Sequence, residues 1–397
     1  AGANAGSGSG GAVYLAVSTM SGRGLATANG GGFEVGGGGG RLALHHVDIS
    51  TLDTSRLRAL GGIGSVSSGG NGTVFIRSVA ESGGTLIVDG QGAGSSFSAL
   101  PIPPGYVFDN VIIRNNARVV ADDPIVVSNA LQILAGSIVT HSPAQANGVG
   151  ISARSVEVDA TSSIDVTGKG YPGGERPGNI STNEGRTLGN LVGAAVHAGG
   201  SYGGTAGATS GAGSNPVYGD PHNPVALGSG GGRGSDDNWP GGNGGGRITI
   251  AASVSVDIAG AIRADGGIPS GAQAGSGSGG SVKIDTALLR GSGVIAANGG
   301  AFEVGGSGGR VAIAYDYLGQ AGDDLDGLRN ITAFGGHGGN SWGGAGTVVL
   351  RRHDQSYGDL YVDDNVAGAT SGAWTPLPHI GFGRVQALTA DTLQTDG

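Results

Sequence analysis

The sequence of 397 residues predicts an all-β fold, a right-handed parallel β-helix assembled from short stacked coils. Three observations carry that expectation. Apolar residues alternate with period two, as Ile248, Ile250, Val254, Val256, Ile258 and Ile262 do within GRITIAASVSVDIAGAIRADGG (246–267), which is the pattern of a strand with one face buried. The same layout recurs in GGAVYLAVSTMSGRGLATANGG (10–31) and GGSVKIDTALLRGSGVIAANGG (279–300), each a glycine pair, a strand, a turn, a second strand and a glycine turn. Glycine supplies 88 of the 397 residues, against a usual share of roughly 7 %. Short strands at a fixed spacing, punctuated by glycine, are the mark of a solenoid, because one such module buries its apolar face only against its neighbours. No helix-period segment of comparable strength occurs, and crossover chirality sets the expected hand.

A longer repeat encloses these modules. Residues 1–44 align without a gap to residues 270–313, with 25 identities in 44 positions. After an insertion of five residues the match continues, so that Gly72-Thr73-Val74 answers Gly346-Thr347-Val348, and Val88-Asp89 answers Val362-Asp363. The chain therefore divides into coils over 1–170, a glycine-rich insert over 171–245, and coils over 246–397, of which 270–397 repeat 1–123. The repeat predicts that Phe33, Val35, Leu42 and Leu44 are as buried as Phe302, Val304, Val311 and Ile313. Both ends fall inside a unit, which reads as a section of a longer secreted chain or a processed product. Composition alone describes the insert as a linker. Runs of glycine also pack as extended polyproline-II-like strands with closely approaching backbones, so both readings stand for 171–245.

Several function classes are excluded. Cysteine is absent, so neither a disulfide framework nor a thiolate metal site exists. No apolar run reaches the roughly 18 residues of a membrane-spanning helix. A net charge of −9 without a basic stripe argues against nucleic acid as a partner. The glycines keep no three-residue period, which excludes collagen, and a hydrophobic share of 38 % argues against simple disorder.

Candidate sites are few. The calcium-binding nonapeptide of secreted solenoids is missing, and calcium takes about six to eight oxygens, so an acidic pair supplies only part of a site. Asp122-Asp123, Asp236-Asp237 and Asp323-Asp324-Asp326 are such clusters, and solvated turns are the simpler account of them. Asp220, His222, Asp236 and Asp237 are the candidate metal ligands, joined by proximity in the insert near Tyr218; calcium is the one cofactor left open. Trp239, Trp342 and Trp374 stand in polar, glycine-rich text, where a ring stacks on a sugar or anchors a loop. Glu34/Glu303 and Arg41/Arg310 flank the same glycine run in both copies, as expected of a salt bridge closing a loop. Ser307 sits in a GxSxG match, but Gly38 replaces it in the other copy and no helix follows, so it is no nucleophile. No catalytic residue emerges, and the chain reads as a non-enzyme.

The segments GGRITIAASVSVDIAGAIRADGG, GSGSGGSVKI, GSGVIAANGG and GGSGGRVAIAY resemble glycine-rich tandem repeats of very large secreted bacterial surface and fibre proteins. The resemblance implies an extracellular or cell-surface location and a fibrous or adhesive role, and carries no catalytic residues. The leading expectation is a structural component of an extracellular filament that self-associates end to end. The alternative is a polysaccharide-binding adhesin or a β-helix polysaccharide lyase.

Overall fold

In the computed structural model the apolar alternation becomes ladders of parallel strands. Described are residues 5–90, 96–180, 182–236, 239–319, 330–365, 373–377, 384–387 and 393–395. Among them the only helical elements are two 3-10 turns, Thr54–Arg56 and Leu188–Asn190. The chain forms two compact units, one of Ala1–Thr140, Ile151–Ser163 and Ala252–Gly260, the other of His141–Gly150, Ile164–Ala251 and Ala261–Gly397.

In the first unit, strands Ala12–Thr19, Arg41–Asp48, Thr73–Ser78, Thr85–Asp89, Phe108–Arg114, Ile125–Ile133 and Val149–Val158 pair side by side in chain order. All these pairs are parallel except one, the hairpin of Thr73–Ser78 with Thr85–Asp89. Short parallel strands Ser98–Ala99, Arg118–Val120 and Ile138–Thr140 form a second ladder. The second unit repeats the plan. Ser281–Arg290, Arg310–Leu318 and Thr347–Arg352 are parallel, Asp359–Val362 is antiparallel to the last of these, and Arg384–Ala387 resumes parallel pairing.

The hairpin departs from a uniformly parallel ladder, and its register has a consequence for the core. Directly paired residues point to the same face of a sheet. Leu42 pairs with Val74, and Val74 with Ile87, so these side chains share one face and gather with Leu44 and Ile76 into one cluster. Leu86 pairs with Val111, Val111 with Leu131, and Leu131 with Val156. All four are buried, and all lie on the opposite face. The hairpin thus moves the apolar core from one side of the sheet to the other. The second unit does the same, with Val349 and Leu360 paired and buried on the face away from Ile284, Ile313 and Leu350.

The two copies agree in register residue by residue. Ala12 faces Arg41 as Ser281 faces Arg310; Arg41 faces Thr73 as Arg310 faces Thr347; Val74 faces Ile87 as Val348 faces Tyr361. Leu42, Leu44, Val311 and Ile313 are all buried, as the repeat predicts. Phe33 and Phe302 are both exposed, at 65 % and 41 %, because each stands on a bend outside the ladders. Val35 is half-buried where Val304 is buried; beside Val304 the insert is bonded to the frame, the Gly207 N–H donating to the carbonyl of Gly305.

Candidate functional site

The glycine runs between the ladders are ordered by a hydrogen-bond pattern of period three. Gly36 and Gly39 donate to Ser67 and Gly70, while Gly37 and Gly40 donate to Gly31 and Ala28. In the second copy Gly305 and Gly308 donate to Ser341 and Gly344, and Gly306 and Gly309 donate to Gly300 and Ala297. A β-strand sends its N–H groups to two sides; an extended helix of about three residues per turn, which makes no internal hydrogen bonds, sends them to three. Glycine is required because the backbones touch. A Cβ on Gly306 would lie 2.0 Å from the Gly277 carbonyl oxygen, and one on Gly279 would lie 2.0 Å from that of Ala297.

The insert joins this array. Gly228, Gly231 and Gly234 donate to Gly245, Gly242 and Trp239, every third residue turning to the same neighbour, while Gly230 and Arg233 turn to Arg186 and Asn183. Ser307, whose two flanking segments are already occupied, donates in the third direction to Gly200 of the insert. The described glycine runs of the insert are therefore packed as an extended array, while Arg186–Thr187 and Leu191–Val192 pair as a short antiparallel hairpin.

A buried anchor fastens it. The Tyr202 and Tyr218 rings lie 4.7 Å apart. The Tyr202 hydroxyl bonds the Ser281 hydroxyl at 2.7 Å, and the Tyr218 hydroxyl donates to the Leu227 carbonyl at 2.6 Å. Arg310, only 1 % exposed, donates from Nε and Nη2 to the Tyr218 carbonyl at 3.1 and 2.8 Å and from Nη1 to Thr347 Oγ1 at 3.1 Å. Its guanidinium lies 5.4 Å from the centroid of the Tyr202 ring. Burial depresses the guanidinium pKa and pushes both phenols up, so the phenols stay neutral donors. A buried cation satisfied by carbonyl, hydroxyl and ring is a structural clamp.

The expected Glu–Arg bridge gives way to separate bonds. Glu34 accepts from the Ala5 N–H at 2.7 Å, and Glu303 accepts from the Gln273 N–H at 2.6 Å and from Asn340 at 3.1 Å. Each carboxylate ties down the preceding loop, while Arg310 turns to the insert.

The proposed metal ligands fall as follows. Asp220 accepts the His222 N–H at 2.8 Å, a local turn, with the imidazole 3.7 Å away. Asp236 is exposed, its carbonyl accepting from Trp239. Asp237 lies outside the described residues, as do Asp323, Asp324 and Asp326. Among the described residues no group of three or more His, Asp or Glu side chains is placed to hold a metal ion. The tryptophans stand apart in three settings. Trp239 is half-buried and packs against Gly271, where a Cβ would meet its ring at 2.1 Å. Trp342 lies 5.2 Å from the His337 ring. Trp374 is 42 % exposed, and its backbone is clasped by Thr205.

Sequence reasoning missed a cleft of about 420 Å³ on the outer face of the second copy, lined among others by His222, Asn223, Lys283, Asp285, Arg351 and Tyr357. Lys283 donates to Asn223 at 2.7 Å. Beside it His353 bridges two carboxylates, Nδ1 to Asp316 at 2.8 Å and Nε2 to Asp285 at 3.1 Å. The signal lay in the repeat: the first copy has Ala16, Val47 and Val79 where the second has Asp285, Asp316 and His353. On that face the first copy carries instead a row of rings, Tyr14 to His45 at 5.2 Å and His45 to Phe75 at 5.7 Å. The frame repeats while its outer face varies.

Among the described residues no helix is long and apolar enough to cross a membrane. No family model, curated protein or solved structure matches the chain.

Proposed function

We propose that the chain is a structural segment of an extracellular or cell-surface filament, its ladders winding as a right-handed parallel β-helix and its molecules associating end to end. The observation that carries this reading is the residue-by-residue register of the two copies: a frame that repeats itself in one chain suits repetition between chains. Among the described residues strand Ala12–Thr19 ends its ladder with one unpaired edge, a template for another strand, and head-to-tail contacts that do not close propagate as filaments. Electron microscopy of the purified chain tests it. Filaments with a regular axial repeat support the reading, and a field of isolated particles at high concentration counts against it.

A second reading, polysaccharide binding, is favoured by the cleft, where Lys283 and Arg351 stand with Asp285 and Tyr357. Cations beside a carboxylate and a ring suit an acidic sugar, and are also what a lyase needs. Glycan arrays and an assay for unsaturated uronate separate binding from cleavage, with Lys283→Ala as the control.

A further inference from the structure

The first copy carries a groove of about 330 Å³, lined in part by Ser9, Gly10, Ala12, Gly40, Arg41 and Thr73. The corresponding residues of the second copy are Ser278, Gly279, Ser281, Gly309, Arg310 and Thr347. There the space is filled: Ser281 holds the Tyr202 hydroxyl, Arg310 holds the Tyr218 carbonyl, and Ser278 exchanges bonds with Ser229. The groove is thus the counterpart of a site whose occupant is visible elsewhere in the same molecule.

The glycines of the run that leads into the groove, where Gly11 lines it, tell the same story. A Cβ on Gly275, Gly277 or Gly280 would lie 1.8, 1.9 and 1.9 Å from the carbonyl oxygens of Ala198, Asn243 and Gly246. At Gly6, Gly8 and Gly11, which hold the same places in the first copy, a Cβ would meet nothing within 4 Å among the described residues, and none of the three has a positive φ. Local structure gives no reason for glycine there, and glycine costs chain entropy on folding. Arg41 is exposed where Arg310 is covered, yet its register partner Thr73 matches Thr347.

We propose that this groove is a docking site for an extended glycine-rich segment bearing an aromatic ring, which seats its backbone on Gly6, Gly8 and Gly11 and its ring and a carbonyl on Arg41. The occupant has the chemistry of residues 198–246. Its glycine N–H groups reach carbonyls at Ser7, Gly36 and Gly39, as Gly200, Gly207 and Gly203 reach Ser276, Gly305 and Gly308. Ala12 stands where Ser281 receives the phenol, so the ring is held by Arg41 and packing, and phenylalanine serves as well as tyrosine. The site does not depend on filament growth, and either can fail alone.

The test supplies such a segment without the strand that follows it, by fusing a second copy of residues 171–246 ahead of Ala1 of the full chain, with a Gly/Ser linker in place of 247–269 so that the Ala12–Thr19 edge gains no partner strand. Hydrogen exchange is read in peptides covering 5–12 and 36–41. Occupied, these amides slow at least about tenfold relative to the unfused chain. Gly8→Ala and Arg41→Ala leave exchange and melting of the unfused chain unchanged, and each abolishes the added protection in the fused chain. Gly277→Ala in the unfused chain is the positive control and speeds exchange across 228–245. Unchanged exchange in the fused chain, or protection indifferent to both substitutions, overturns the proposal. Binding of a glycan that is lost in Arg41→Ala, with no protection by the fused segment, assigns the groove to a sugar instead.

Discussion

Arg41 and Arg310 hold the same place in two copies of one structural unit, each facing a threonine across a parallel pair, and only Arg310 is covered. The difference lies in what packs on them. Arg310 meets the Tyr218 carbonyl and the Tyr202 ring of the insert, and the insert in turn fills the third direction of the glycine array at Ser307. The same side chain is a clamp in one copy and a solvated cation in the other.

The clamp predicts an asymmetric response to mutation. Arg310→Ala strands the Tyr218 carbonyl in a dry site, at a cost of roughly 3 kcal/mol in lost hydrogen bonds and packing. Arg310→Lys recovers little, because an ammonium lacks the planar fork that reaches carbonyl and hydroxyl together. Arg41→Ala, at an exposed position, stays within about 0.5 kcal/mol. Chemical denaturation measures the difference, and limited proteolysis of the Arg310 variants cuts within 171–245.

The glycine array predicts where alanine is tolerated. Gly306→Ala places a methyl 2.0 Å from the Gly277 carbonyl oxygen, so two segments must part, destabilising the fold by at least about 2 kcal/mol. Gly24 has nothing within 4 Å of a Cβ among the described residues and no positive φ, so Gly24→Ala is neutral to within about 0.5 kcal/mol. Thermal melts of the two variants, side by side, check this.

His353 predicts a pH dependence. The Asp316 carboxylate on Nδ1 raises its pKa, burial opposes that, and Asp285 on Nε2 adds to the rise. A folded pKa above the unfolded value of about 6.5 means stabilisation that is fully present below that value and lost as pH rises through the folded one. His353→Val, which copies Val79 of the other repeat, removes this slope. Melting temperatures between about pH 5.5 and 8.5 give the comparison, with wild type losing stability toward alkaline pH relative to the variant.

Much of the frame was legible in the sequence. Period-two alternation located strands such as Arg247–Ile258 and Ser281–Arg290, and the offset between copies anticipated their shared register. What stayed hidden depends on directions that a linear pattern does not encode. The move of the core across the sheet follows from the Val74–Ile87 pairing, where an antiparallel partner inverts the inward set; apolar alternation looks the same on either side. Phe33 and Phe302 look like core residues by type, but their bends turn them outward. For the insert the composition leaves a linker and a packed glycine array both open, because glycine carries no side-chain signature of its partner. Lys283 and Asp285 on one strand meet Arg351 and Tyr357 from a segment more than 60 residues later, and only the copy-to-copy change at Ala16, Val47 and Val79 points to that face.

The central claim, a frame built to continue from molecule to molecule, is tested most directly by sedimentation velocity over a wide range of protein concentration, at low salt and at about 1 M salt. Association through strand edges and apolar area predicts a sedimentation coefficient that climbs with concentration and keeps climbing at high salt, where charge-driven contacts are screened to about 3 Å. A single monomer-sized boundary at every concentration would contradict it.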